Sequence, residues 1–196
     1  MLGSTRKAGR PKVPAADRIL RVASEMFYLR GIRAVGVDAI ASEADVTKKT
    51  LYDNFGSKDN LVAAYLRGRD ERWRRWVVEG VDRRGGSPRE RLLSTFDVLA
   101  DWMAEGNTRG CGFVNAAVEL TDADHPAWTV VMEQKRWLRG YLAELAGEAG
   151  ARDPEGLAGR FMILHEGANV GSSLGMPADS AHEARQIAEA LVADLQ

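Results

Sequence analysis

Apolar residues recur at intervals of three and four along nearly the whole chain and show no interval of two, so the sequence predicts helices and no strands. Ile19, Leu20, Ala23, Met26 and Phe27 place a first helix from about Ala15 to Leu29, which Gly31 stops. Between Val37 and Lys58 the pattern shortens. Val37, Ile40, Ala41 and Ala44 form one face of a short helix and Asp45 interrupts it. A second short helix opens at Thr47, whose hydroxyl can cap free backbone N–H groups, and carries Leu51 and Phe55 on one face until Gly56 ends it. Two helices joined this tightly make a helix-turn-helix, whose second member can lie in a DNA major groove. An ordinary helical hairpin with a solvated basic face satisfies the same spacing. Phe27, Ile32 and Val35 are expected to pack on Ile40 and Leu51 in a three-helix core.

Ser57 is expected to cap a long fourth helix, with Leu61, Ala64, Tyr65, Trp73, Trp76 and Val77 as its buried stripe. Ser87 and Pro88 start a fifth, which carries Leu92, Phe96, Leu99 and Met103. After the glycine-rich break from Gly106 to Gly112, FVNAAVEL forms a sixth. Asp124 and Pro126 open a seventh, with Trp128, Val131, Leu138, Leu142 and Leu145 as a seam. Asp153 and Pro154 open an eighth, and Ser180 caps a ninth whose Ala184, Ile187, Ala188, Leu191 and Leu195 line one face. The expected fold class is all-α with about nine helices: a basic flexible arm over 1–14, a helix-turn-helix domain over 15–60 and a larger helical domain over 61–196.

Charge changes this picture. Residues 1–60 hold 11 Lys+Arg against 7 Asp+Glu, leaving 16 against 21 in the remainder. A basic first third joined to an acidic remainder fits a DNA-reading module on a domain that does not touch DNA. The arm contributes Arg6, Lys7, Arg10 and Lys12 without an acid; its Gly9–Lys12 segment, extended and cationic, suits an A·T-rich minor groove, and a plain disordered tail fits it equally. Lys48 and Lys49 occupy the first turn of a helix whose dipole repels cations, and Tyr52 stands one turn on; an incoming phosphate or guanine edge gives that placement a reason. The single cysteine excludes an intrachain disulfide and favours a reducing compartment. With no secretory h-region and no apolar run of membrane-spanning length, the expected location is cytoplasmic and no membrane partner is expected. No metal-ligand spacing, phosphate loop or nucleophile elbow occurs, so neither cofactor nor metal is expected.

The chain resembles the tetracycline-repressor (TetR) family of bacterial regulators. Ile19 to Ala23 with Phe27 and Gly31, then Ile40 and Ala41, then Val46, Thr47, Thr50, Leu51, Tyr52, Phe55, Lys58 and Leu61 carry the resemblance, with RGCGFVNAAVEL as a weaker match. The resemblance implies a homodimeric repressor that leaves an inverted-repeat operator on double-stranded DNA when a small apolar or amphipathic effector binds its second domain. It also implies that Thr47, Lys48, Lys49, Tyr52 and Asn54 face DNA and that Lys58 holds a phosphate. Three positions depart from the pattern. Asp45 stands where the turn usually has glycine, Gly36 replaces a Ser or Thr cap, and Lys49 replaces a small residue.

By the same resemblance, helices 8 and 9, about 154–175 and 180–195, form the dimer interface; Gly159, Gly167, Gly171 and Gly175 fit close backbone approach there, or mark a helix that ends early. The effector pocket is expected among helices 4 to 8, lined by Trp102, Cys111, Phe113, Val114, Val118, Trp128, Met132, Phe161, His165 and Asn169. His165 and Asn169 are four apart and share a face. Cys111, flanked by glycines with Arg109 nearby, is alternatively an accessible thiolate that senses oxidants or electrophiles. An enzyme using Cys111, His125 and His165, and a ligandless architectural DNA binder, are rival classes; neither has a sequence feature that fixes its geometry.

Overall fold

The computed structural model describes residues 13–122 and 124–195. Among these, nine helices and no strand occur: α1 (Ala15–Arg30), α2 (Val37–Glu43), α3 (Lys48–Phe55), α4 (Lys58–Arg84), α5 (Pro88–Ala104), α6 (Gly112–Glu119), α7 (Pro126–Glu148), α8 (Pro154–Leu174) and α9 (Ser180–Leu191). No helix is long and apolar enough to cross a membrane.

The first three helices close over Phe27, Val35, Ile40 and Leu51, all buried in one cluster. Asp45 turns the chain between α2 and α3 at φ 52°, a left-handed conformation that Asp adopts more readily than most residues. Arg18 of α1 fastens this turn, its Nε donating to the Ala44 carbonyl at 3.2 Å and its Nη2 to that of Asp45 at 3.0 Å. Gly36 precedes α2 without a side-chain cap, whereas Thr47 Oγ1 accepts from the Thr50 N–H and Ser57 Oγ from that of Asn60.

α4 is about 40 Å long and is shared by two cores. Its first turns join the helix-turn-helix cluster together with Phe113, Ala116, Ala127, Val130 and Val131, so apolar packing runs across the expected boundary at 60/61. Its later turns pack with α5, α7, α8 and α9 around Phe96, Leu142 and Phe161. The buried stripe of α4 is wider than its periodicity predicts and includes two charged residues, Arg69 and Asp70. Gly80 lets α5 approach closely, since a Cβ there would lie 2.8 Å from Val98.

Two expected caps are displaced. α9 is capped by Asp179, and the Ser180 hydroxyl instead donates to the Ala168 carbonyl at 2.7 Å, because Ser180 lies on the face that meets Gly171 of α8. α7 is capped by His125, whose Nδ1 accepts from the Ala127 N–H, rather than by Asp124. The expected apolar face of α9 divides: Ala184, Ala188 and Val192 are buried, whereas Ile187 and Leu191 face outward. On α8, Ile163, Val170 and Leu174 are exposed as well, with open space beside Gly159 and Gly167. Their spacing puts Ile163, Val170 and Leu174 on one face of α8 and Ile187 and Leu191 on one face of α9.

Candidate DNA-reading face and effector cavity

α3 stands on its buried Leu51 and presents Lys48, Lys49, Tyr52 and Asn54 outward. Lys48 Nζ lies 3.0 Å from Asp38 Oδ1 and Lys49 Nζ 2.7 Å from Asp53 Oδ2. These acids offset part of the unfavourable placement of two cations at a helix N-terminus, and the contact with Asp38 raises the Lys48 pKa. Exposed pairs of this kind are weak, so a phosphate can displace either acid. Tyr52 is 40% exposed, large for an aromatic side chain. Asn54 Nδ2 donates to the Thr50 carbonyl and Lys58 Nζ to the Ile32 carbonyl, each at 2.7 Å. Arg10 and Lys12 lie outside the described residues.

A small, partly open cavity of about 30 Å³ lies among α4, α5, α6, α7 and α8. Of the ten residues expected there, it brings together Trp102, Cys111, Phe113, His165 and Asn169. The other five lie elsewhere. Val118 points outward from α6 at 78% exposure, Met132 is also exposed, and Val114 and Trp128 are half-buried away from the cavity. Phe161 is fully buried with its ring 5.4 Å from that of Phe96. The expected lining omitted Arg69, Trp73, Leu99, Gly112, Gln134, Lys135, Leu138 and Glu166, which complete the wall. For Arg69 a signal existed: it falls in the register of Leu66 and Trp73, a charge on an otherwise apolar stripe. Lys135 and Glu166, hydrogen-bonded across α7 and α8, have no signature within either helix.

The wall is polar in specific places. Lys135 Nζ also lies 3.3 Å from Cys111 Sγ. Burial lowers the Lys135 pKa, but Cys111 and Glu166 more than offset this and leave it raised. His165 is held neutral, its pKa lowered to about 3 by burial and then by Lys135. Thr95 Oγ1 lies 3.2 Å from His165 Nε2 and spends its own proton on the Leu92 carbonyl. The imidazole proton therefore sits on Nε2, and Nδ1 is an acceptor with no partner among the described residues.

A His whose pKa falls on folding contributes full stability above its ordinary value of 6.5 and loses it as pH drops toward 3, because only the unfolded chain takes up the proton in that window. Between pH 6.5 and 5 the loss is about 2 kcal/mol. Urea midpoints across this range should fall for the native chain and fall less for His165→Asn; parallel curves would rule out His165 as the source.

One cavity-wall side chain, Arg69, stacks directly on α1. The Arg69 guanidinium lies 4.3 Å from the centre of the Tyr28 ring on α1 and 5.5 Å from that of Trp102, with Nη2 on Asn107 Oδ1 at 2.9 Å. The Tyr28 hydroxyl accepts from the Arg109 N–H at 2.9 Å and donates to the Gly110 carbonyl at 3.1 Å, while Arg109 Nη1 reaches the Leu29 carbonyl at 2.6 Å. Glu119, at the end of α6, accepts from the Arg33 N–H at 2.7 Å, and His125 Nε2 lies 3.3 Å from Asp59 of α4. The cavity wall and the end of α1 are thus one hydrogen-bonded and stacked assembly.

A helix-turn-helix head joined in this way to a larger helical body is the architecture of a DNA-binding regulator. Residues 19–65 match the family model "Bacterial regulatory proteins, tetR family" and residues 88–188 match "Tetracyclin repressor-like, C-terminal domain". The chain belongs to the tetR family and is a DNA-binding transcriptional regulator. It is 33% identical to the transcriptional activator FasR of Mycolicibacterium smegmatis over 52% of this chain and 46% of that one, so the match spans about half of FasR. It is 30% identical to the transcriptional regulator AcuR of Cereibacter sphaeroides over 90% of this chain and 85% of AcuR. The crystal structure of a TetR-family transcriptional regulator from Streptomyces coelicolor superposes with a TM-score of 0.85 at 29% identity, covering 92% of this chain and 95% of that one. Family and fold are those of transcription regulators rather than enzymes.

Proposed function

We propose that this chain is a cytoplasmic homodimeric repressor that reads an inverted repeat through α3 and leaves it when a small effector occupies the cavity. The observation that carries this is the Arg69–Tyr28–Arg109 assembly. An effector that moves Arg69 or the Arg109–Gly110 segment acts on the C-terminal end of α1, and with it on the orientation of α3. The effect is a population shift, whose extent is set by the effector's differential affinity for the two head orientations. Thr47, Lys48, Lys49, Tyr52 and Asn54 face the major groove, Lys58 exchanges the Ile32 carbonyl for a phosphate, and Arg10 and Lys12 follow the adjacent minor groove. Trp102, Cys111, Phe113, His165 and Asn169, with Arg69 and Lys135, meet the effector.

The outward faces of α8 and α9 pair with those of a second copy. Ile163, Val170, Leu174, Ile187 and Leu191 are exposed apolar groups on adjoining helices, and the open space at Gly159 and Gly167 admits a helix at close range. Sedimentation equilibrium is expected to give a dimer for the native chain and a folded monomer for Ile163→Glu; a dimer in both places the interface elsewhere. The functional test is selection of bound sequences from random DNA. The expected result is enrichment of an inverted repeat with half-sites about one helical turn apart or a multiple of it, and failure to enrich any repeat overturns the proposal.

A further inference from the structure

We propose that Cys111 is a covalent capture site for small α,β-unsaturated carbonyl compounds bearing an N–H or O–H group, and that adduct formation releases the chain from DNA. This rests on the regulator function proposed above and names a chemical class for its effector.

Cys111 precedes α6 as its N-cap residue, yet its side chain makes no cap hydrogen bond. It is half-buried and lines the cavity. Lys135 Nζ donates to its Sγ at 3.3 Å and also hydrogen-bonds Glu166, so a sulfur nucleophile, an ammonium and a carboxylate meet in one wall. Those are the groups a conjugate addition uses: a nucleophile, a cation beside it and a carrier for its proton.

A second, independent observation narrows the ligand. His165 and Gln134 line the same cavity at 1% and 2% exposure, and His165 Nδ1 and Gln134 Oε1 have no partner among the described residues. His165 Nδ1 is an acceptor, since the imidazole proton is committed to Thr95, and the Trp73 indole N–H, a donor, is likewise without a partner among the described residues in the same wall. Buried groups without partners favour a ligand that brings both a donor and an acceptor and disfavour one that lacks either. Unsaturated amides and hydroxy-substituted enals meet this requirement; esters and fully alkylated amides do not.

In the addition Sγ bonds to the β-carbon, the C=C π pair moves to the α-carbon, and the thiol proton, passed through Lys135 and Glu166, ends there. No leaving group departs and no oxidant or reductant is consumed. The adduct then acts on the neighbours of Cys111. The Gly110 carbonyl accepts from Tyr28, a Cβ at Gly110 would lie 2.9 Å from the Asn169 backbone oxygen, and one at Gly112 would lie 2.7 Å from Arg69 Nε. With both flanking residues packed against neighbours, added atoms on Cys111 displace the 109–112 segment and loosen its hold on Tyr28.

The test treats purified protein with acrylamide or N,N-dimethylacrylamide, each rate normalised to that with free cysteine. Adducts are located by intact mass and peptide mapping, and DNA affinity is read by fluorescence anisotropy on the operator selected above. The expected result is one adduct, on Cys111, with the normalised acrylamide rate about tenfold above that of the dimethyl compound. The adduct should bind DNA at least about tenfold more weakly, and Cys111→Ser should show neither effect. In Lys135→Met/Glu166→Gln, which removes both charges together, the acrylamide rate should fall about tenfold; the paired probes on the native chain need no variant to fold. Equal normalised rates for the two probes, or a Cys111 adduct that binds DNA as the native chain does, overturns the inference and leaves the regulator function standing. If no operator is enriched, the regulator function fails instead, and the capture site is judged on mass and rates alone.

Discussion

Phe161→Ala should lower the unfolding free energy by about 3–5 kcal/mol, the range for removing a large aromatic side chain from a packed core. Phe161 has no exposed surface, and its ring contacts Phe96, which stacks on His165 at 4.4 Å between ring centres. The substitution therefore opens a void where α5 and α8 meet and leaves the cavity wall itself in place. Urea denaturation at pH 7, above the window in which His165 titrates in the unfolded chain, is the measurement. A loss below about 1 kcal/mol would mean that the site collapses or that Phe161 is not core.

Lys48→Ala should weaken operator binding by about two orders of magnitude with the fold intact. A base or phosphate contact contributes about 1–3 kcal/mol, and a dimer makes each contact twice. The native partner of Lys48 is the exposed Asp38, so its removal changes stability little. Anisotropy titrations at two salt concentrations separate the roles. A phosphate contact lowers the salt slope by about one per protomer, whereas a base contact leaves the slope and relaxes sequence preference at one position of each half-site. Unchanged affinity would remove Lys48 from the DNA-reading face.

The helix-turn-helix was legible in the sequence because each of its devices is local. Thr47 caps its own helix three residues on, Leu51 and Phe55 share a face by spacing alone, and Asp45 reveals the left-handed turn by its type. The nine helices were legible for the same reason, since a 3.6-residue period appears wherever one face is buried. The caps of α7 and α9 were not. Ser180 is as good an N-cap as Asp179 by type, and only the approach of Gly171 draws its hydroxyl across to α8.

The cavity was half legible. A periodic pattern states that Phe161, Trp102 and Val118 sit on helices, but a buried core residue, a cavity-lining residue and an outward-facing one can share the same residue type and spacing. Their fates depend on which neighbouring helix covers each face. Val118 is left uncovered on α6, Phe161 is fully enclosed, and Trp102 stands at an opening beside Arg69.

The sequence by itself determined the helical class and the residues that face outward from α3, because those are set by interactions within one turn or between adjacent turns. The tertiary structure alone decided that Lys135 of α7, Glu166 of α8 and Cys111 ahead of α6 meet in one wall, and that Arg69 joins that wall to Tyr28. These contacts span 24, 31 and 41 residues of chain, and no local preference encodes a pairing at that separation. It arises when amphipathic helices bury their faces against one another, and the polar groups carried inward are left to find partners or to await a ligand.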